Sequence, residues 1–125
     1  MFSHQTAASI LGLPLPIFAQ GAMTLHVTVR SGSVPEGNGV RGFELSSDLW
    51  RSQEFVYFDR RNYDLFALPV LAPAVVWAQL ASTLDSDDLV ALGDAMVTGS
   101  DPLCSLAELR EETRRWTGRR GVRAM

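Results

Sequence analysis

The sequence predicts an α+β domain, an antiparallel sheet of about four strands with an N-terminal helix and C-terminal helices packed on it. Three observations predict it. A short capped helix signal opens the chain, and four β-branched or aromatic runs follow between residues 25 and 71. From Pro73 onward the apolar residues fall at helical spacing instead. With 125 residues, 46% of them apolar and 20% charged, the chain makes a single domain over 1–125 with a core of its own.

Each element has a local cause. Ser3 is placed as the N-cap of a helix through Leu11, stopped by Gly12 and barred from continuing by Pro14. Leu25, Val27 and Val29 alternate with His26 and Thr28, the pattern of a strand. Residues 31–39 read as loop, with Pro35 and the turn pair Asn38-Gly39. Residues 40–45, 54–58 and 65–71 follow as three more strands, the last two separated by a charged turn at 59–64. Val76, Trp77, Leu80 and Leu84 share a face of a helix over 73–84, with Pro73 in its first turn. Asp85 to Asp88 cap the next helix and place acids at its positive end. Its inward stripe is Leu89, Leu92, Gly93 and Met96, and Gly99 ends it. Ser105 and Glu108 form a capping box for the last helix. Leu106, Leu109 and Trp116 point inward there, and the arginines and glutamates outward.

The uncharged stretch 65–84 approaches the length of a membrane span, but Pro69 and Pro73 divide it into a strand and a helix. The apolar run 10–18 lacks the positively charged leader of an export signal. The expectation is a soluble, cytoplasmic chain with no membrane partner.

Residue types exclude several chemistries. All eleven basic residues are arginine, which removes P-loop phosphate binding, Schiff-base catalysis and lysine-assisted nuclease sites. The single cysteine, Cys104, excludes an internal disulfide and multi-cysteine zinc motifs, and reads as a small buried residue. Gly37-Asn38-Gly39-Val40-Arg41-Gly42 matches the G-x-G-x-x-G spacing, but strand-like residues follow it where a dinucleotide site needs a helix. It is a glycine-rich hairpin loop, and no cofactor is expected. His4 and His26 are the only histidines, and no H-x-x-x-H spacing joins them, so no metal ligand is assigned. A small metal hydrolase built on these two requires their rings within a few ångströms of each other. No catalytic residue is assigned either.

Charge is divided unevenly. Residues 1–107 carry five arginines against eleven acids, and residues 108–125 carry six arginines against three glutamates. Glu111 stands three before Arg114 and four before Arg115, the spacing of surface ion pairs. Arg119, Arg120 and Arg123 have no acid after them. These five, Arg114, Arg115, Arg119, Arg120 and Arg123, are the candidates for contact with nucleic acid or an acidic partner.

Phe2-Ser3-His4-Gln5-Thr6-Ala7-Ala8 followed by Gly12-Leu13-Pro14-Leu15-Pro16 resembles bacterial proteins related to the AbiEi-type antitoxins, many of which carry a Vsr-like endonuclease domain. Leu25 to Val29, Leu68-Pro69-Val70 with Trp77 to Ala81, Asp88 to Asp94, and Gly118-Arg119-Arg120-Gly121-Val122 extend the resemblance in order. It implies the middle region of a longer protein, with winged-helix and endonuclease regions lying outside this chain. The function it implies is a non-enzymatic scaffold linking such modules in a defence or regulatory protein. The alternative is a DNA-binding, antitoxin-like transcriptional repressor module. Implied partners are DNA, held weakly through the terminal arginines, and a toxin or nuclease module.

Overall fold

The computed structural model describes residues 1–15, 24–30 and 32–117. In order the elements are α1 (His4–Ile10), β1 (Leu25–Val29), β2 (Glu36–Gly37), β3 (Val40–Glu44), β4 (Ser52–Asp59), β5 (Asp64–Leu71), α2 (Pro73–Leu80), α3 (Ser86–Val97) and α4 (Leu106–Trp116). The class is α+β as the sequence predicts, but the sheet differs from the expected single antiparallel one. β1, β3 and β2 form one small sheet in that order, and β4 and β5 form another. β1 runs parallel to β3, with Leu25 opposite Val40 and Val29 opposite Glu44.

The turn chemistry explains the difference. Asn38-Gly39 does make a hairpin, with Gly39 at φ 75°, but the hairpin joins β3 to the two residues of β2. β2 therefore takes the antiparallel edge of β3 and leaves β1 the parallel one. Residues 32–35 cross over β3 at Gly42, where a Cβ would collide with the Pro35 carbonyl oxygen and the Val34 side chain. That close approach is what requires glycine.

The first three residues join the two sheets. The Phe2 N–H donates to Pro69 O at 2.9 Å and Phe2 O accepts from the Leu71 N–H at 3.1 Å. On the other side the Ser3 N–H donates to His26 O at 3.0 Å and Met1 O accepts from the Thr28 N–H at 2.8 Å. Phe2 thus lies parallel to Val70 and antiparallel to Val27, filling the gap between β5 and β1. Strand alternation cannot signal this segment, because three residues carry too little pattern.

α1 ends in Leu11 and then Gly12 at φ 72°; the Gly12 N–H donates to Ser9 O and the Leu13 N–H to Ala8 O, the paired bonds of a Schellman stop. The segment 65–84 resolves into β5, α2 and a turn over 81–84, so the helix expected to reach Leu84 ends at Leu80, and among the described residues no helix is long and apolar enough to cross a membrane. α2 is buried on every side, which follows from its near-absence of polar residues. Its own Leu80 and Leu71, Leu89, Leu92 and Met96 of β5 and α3 are all fully enclosed in the core; each such side chain contributes roughly 1.5–3 kcal/mol of burial. The α3 stripe of Leu89, Leu92, Gly93 and Met96 faces inward as expected, and Asp85 caps the helix by accepting from the Asp88 N–H at 2.8 Å. The Ser105–Glu108 capping box is present on α4. Leu109 and Trp116 are buried, but Leu106 is 51% exposed, a correction to the inward assignment. Leu106 is the first residue of α4, and the buried stripe of that helix is Leu109, Glu112 and Trp116.

Candidate functional site

Three elements meet at a half-open cleft of about 840 Å³. β1 supplies His26, β3 supplies Arg41 and Phe43, and α1 begins with His4. His26 and Arg41 are register partners on neighbouring strands, and Phe43 follows Arg41 by two residues, so all three share one face of the sheet. The His4 ring stacks on Phe43 with centroids 3.9 Å apart, His26 lies 5.8 Å from the same ring, and the Arg41 guanidinium stands 5.2 Å from its centre. Gln79, Ser82 and Thr83, at and beyond the end of α2, and Trp116 of α4 line other parts of the cleft.

Behind His4 runs a closed circuit of buried polar groups. The His4 backbone N–H donates to Gln79 Oε1 at 3.3 Å. That fixes the amide, whose Nε2 donates to Thr28 Oγ1 at 3.3 Å. Thr28 Oγ1 in turn donates to Ser3 Oγ at 2.7 Å, and Ser3 Oγ lies 3.0 Å from His4 Nδ1. Ser3 and Thr28 are completely enclosed. The Ser3 hydroxyl accepts from Thr28, and for its own proton the acceptor beside it among the described residues is His4 Nδ1. Accepting from His4 instead would leave that proton orphaned in a dry interior, at a cost of about 1–3 kcal/mol. The circuit therefore assigns His4 the tautomer with its proton on Nε2.

Electrostatics agree with a neutral ring. Burial, then the neighbouring His26, then Arg41 hold the His4 pKa down to about 4. His26 is lowered too, by burial first and Arg41 second. The His4 backbone sits at φ 49°, a left-handed conformation costly for a residue with a side chain, so the surrounding bonds hold it there. His26 is 8% exposed, and its Nδ1 is buried without a hydrogen-bond partner among the described residues.

The two imidazoles are close, with centroids 6.0 Å apart and planes inclined by 38°. Proximity does not make them a metal centre. Coordination through His4 Nε2 would move its proton to Nδ1 and break the Ser3 circuit, and Arg41 adds positive charge at the same place. Among the described residues no group of three or more His, Cys, Asp or Glu is gathered as a ligand set.

Two of the arginines singled out by charge, Arg114 and Arg115, are on α4 and do not line this cleft. Arg114 donates to Glu111 through Nε at 3.0 Å and Nη2 at 2.5 Å, and Arg115 donates to it through Nε at 3.2 Å. These are the surface pairs that the spacing predicts; hydrogen bonds from Arg114 first and Arg115 second hold the Glu111 carboxyl down to about 2. Arg119, Arg120 and Arg123 lie outside the described residues.

Glu112, placed outward by the sequence reading, is buried. It accepts from Trp116 Nε1 at 3.0 Å and forms an ion pair with Arg51. Its spacing of three from Leu109 and four from Trp116 puts it on the inward stripe, a signal that its charge obscures. Cys104 is buried, its thiol pushed up to about 11 by burial and then by Glu108. The G-x-G-x-x-G segment spans the β2–β3 hairpin and β3, with no helix opening after it. Gln79 was legible only as the lone amide in an apolar helix, and nothing in the sequence links it to Ser3 and Thr28.

No family model matches the chain, and neither a curated protein nor a solved structure is found to be similar to it.

Proposed function

We propose that this chain is a non-enzymatic scaffold of a cytoplasmic, AbiEi-like, endonuclease-associated bacterial protein, a module that holds neighbouring modules and binds without turning anything over. The observation that carries the reading is where the chemistry-bearing side chains are spent. The Ser3 hydroxyl is enclosed and committed to the Thr28–His4 circuit, Glu112 is committed to Arg51 and Trp116, and Cys104 is a buried thiol kept protonated. None of these groups is left poised as nucleophile or base. The β4–β5 ribbon supports the same role. It makes its main contacts within itself, and Val56, Leu65 and Phe66 stand exposed on it, apolar surface suited to holding a neighbour.

The repressor alternative rests on the arginines, and Glu111 neutralises two of the five. A gel-shift and nuclease assay on the whole chain separates the readings. The scaffold role predicts weak, salt-sensitive DNA binding at most and no cleavage with or without divalent cations. Metal-dependent cutting would overturn it. Tight operator binding abolished by charge reversal at Arg119 and Arg120 would replace it with the repressor.

A further inference from the structure

The cleft at the sheet end of α1 has a chemical character of its own. Its basic corner presents Arg41, an exposed residue with no ion pair among the described residues, and the His4 ring, both resting against Phe43. The Ser3 circuit gives His4 a proton on Nε2, the ring edge not used by the circuit, so the ring offers a hydrogen-bond donor while staying neutral. A guanidinium and a fixed N–H donor on one aromatic platform match an oxyanion, which accepts from both. Glu44, the last residue of β3, is the one carboxylate among the lining residues, and it alternates in the strand with Arg41 and Phe43. Farther along the lining are Thr83, Ser82, whose hydroxyl donates to Gln79 O but can still accept, and the ring of Trp116, whose N–H is held by Glu112. A volume of about 840 Å³ suits a small organic molecule.

We propose that this cleft binds a small ligand carrying a phosphate or carboxylate group, with the oxyanion held by Arg41 and His4 Nε2–H and the remainder lying toward Ser82, Thr83 and Trp116. The site needs no metal and no catalytic step, so it stands or falls separately from the scaffold role.

The test is a titration of the full chain, labelled with ¹⁵N at histidine, against inorganic phosphate and separately against succinate, at pH 7.5 and ionic strength held constant with chloride. The proposal expects a saturable displacement of the His4 ring resonances by at least one of the two anions, and which one saturates identifies the headgroup. R41Q, a change at an exposed position, weakens that binding about tenfold or more while the amide spectrum stays that of the folded chain. Absence of a saturable displacement with both anions overturns the proposal, and so does equal affinity in R41Q.

Discussion

Ser3 Oγ and His4 Nδ1 are adjacent in the chain and 3.0 Å apart in space, and the contact between them decides which nitrogen of the histidine carries its proton. The decision originates elsewhere, in Gln79 and Thr28, elements far along the sequence that fix the donor direction before it reaches Ser3. A helix start, a strand and a buried helix thereby converge on one ring.

The first prediction concerns acid. His4 has a folded-state pKa of about 4 against an ordinary 6.5, so between those values the unfolded chain binds more protons than the folded one. Its contribution is present in full above pH 6.5 and is lost as pH falls toward 4. The lowered pKa of His26 acts in the same direction. Denaturant unfolding across pH 7.5 to 4 should show a loss of about 2–3 kcal/mol attributable to His4, and a His4→Gln variant should show a shallower slope. Stability that rises on acidification through this window contradicts the assignment.

The second concerns backbone strain. Both His4→Ala and His4→Gly remove the ring, but only glycine accepts φ 49° without penalty. The glycine variant should be the more stable by about 1 kcal/mol, the reverse of the usual order inside a helix. Thermal unfolding of the two side by side measures the difference.

The third concerns the crossover. Gly42→Ala places a methyl against the Pro35 carbonyl and Val34, and backbone cannot move aside as a flexible side chain does. A loss of about 1–3 kcal/mol is expected, with amide-exchange protection falling first in β1 and β3. The same substitution at Gly37, where a Cβ meets nothing, should cost little.

Much of this architecture was legible in the residues, because helix periodicity and capping are local. Asp85, the Ser105–Glu108 box and the α3 stripe all did what their spacing implies. Pairing direction is not local. Nothing within Leu25–Val29 or Val40–Glu44 says that they run parallel, and the Asn38-Gly39 turn is equally compatible with either partner until β2 claims it. The site was the least legible part. Ser3, His4, Thr28 and Gln79 are separated by up to 76 positions, and only the insertion of residues 1–3 between β5 and β1 brings them together.

A fourth prediction follows from Glu112. Glu112→Ala removes the acceptor of Trp116 Nε1 and the partner of Arg51 at once. Because the Arg51 side chain is about a third exposed (36%), water recovers part of its charge. The expected loss is about 2–3 kcal/mol, with Glu112→Gln retaining part of it through the indole hydrogen bond. Equal stability of Glu112→Ala and the parent chain would show the pair to be ornamental.

The most direct measurement is a long-range ¹H–¹⁵N correlation spectrum of the two imidazoles, followed from pH 8 to pH 4. The account predicts that His4 is protonated on Nε2 and bare on Nδ1 throughout the neutral range, taking up a second proton only near pH 4. A His4 ring carrying its proton on Nδ1, or titrating near 6.5 like a free histidine, contradicts the circuit and the donor it presents to the cleft.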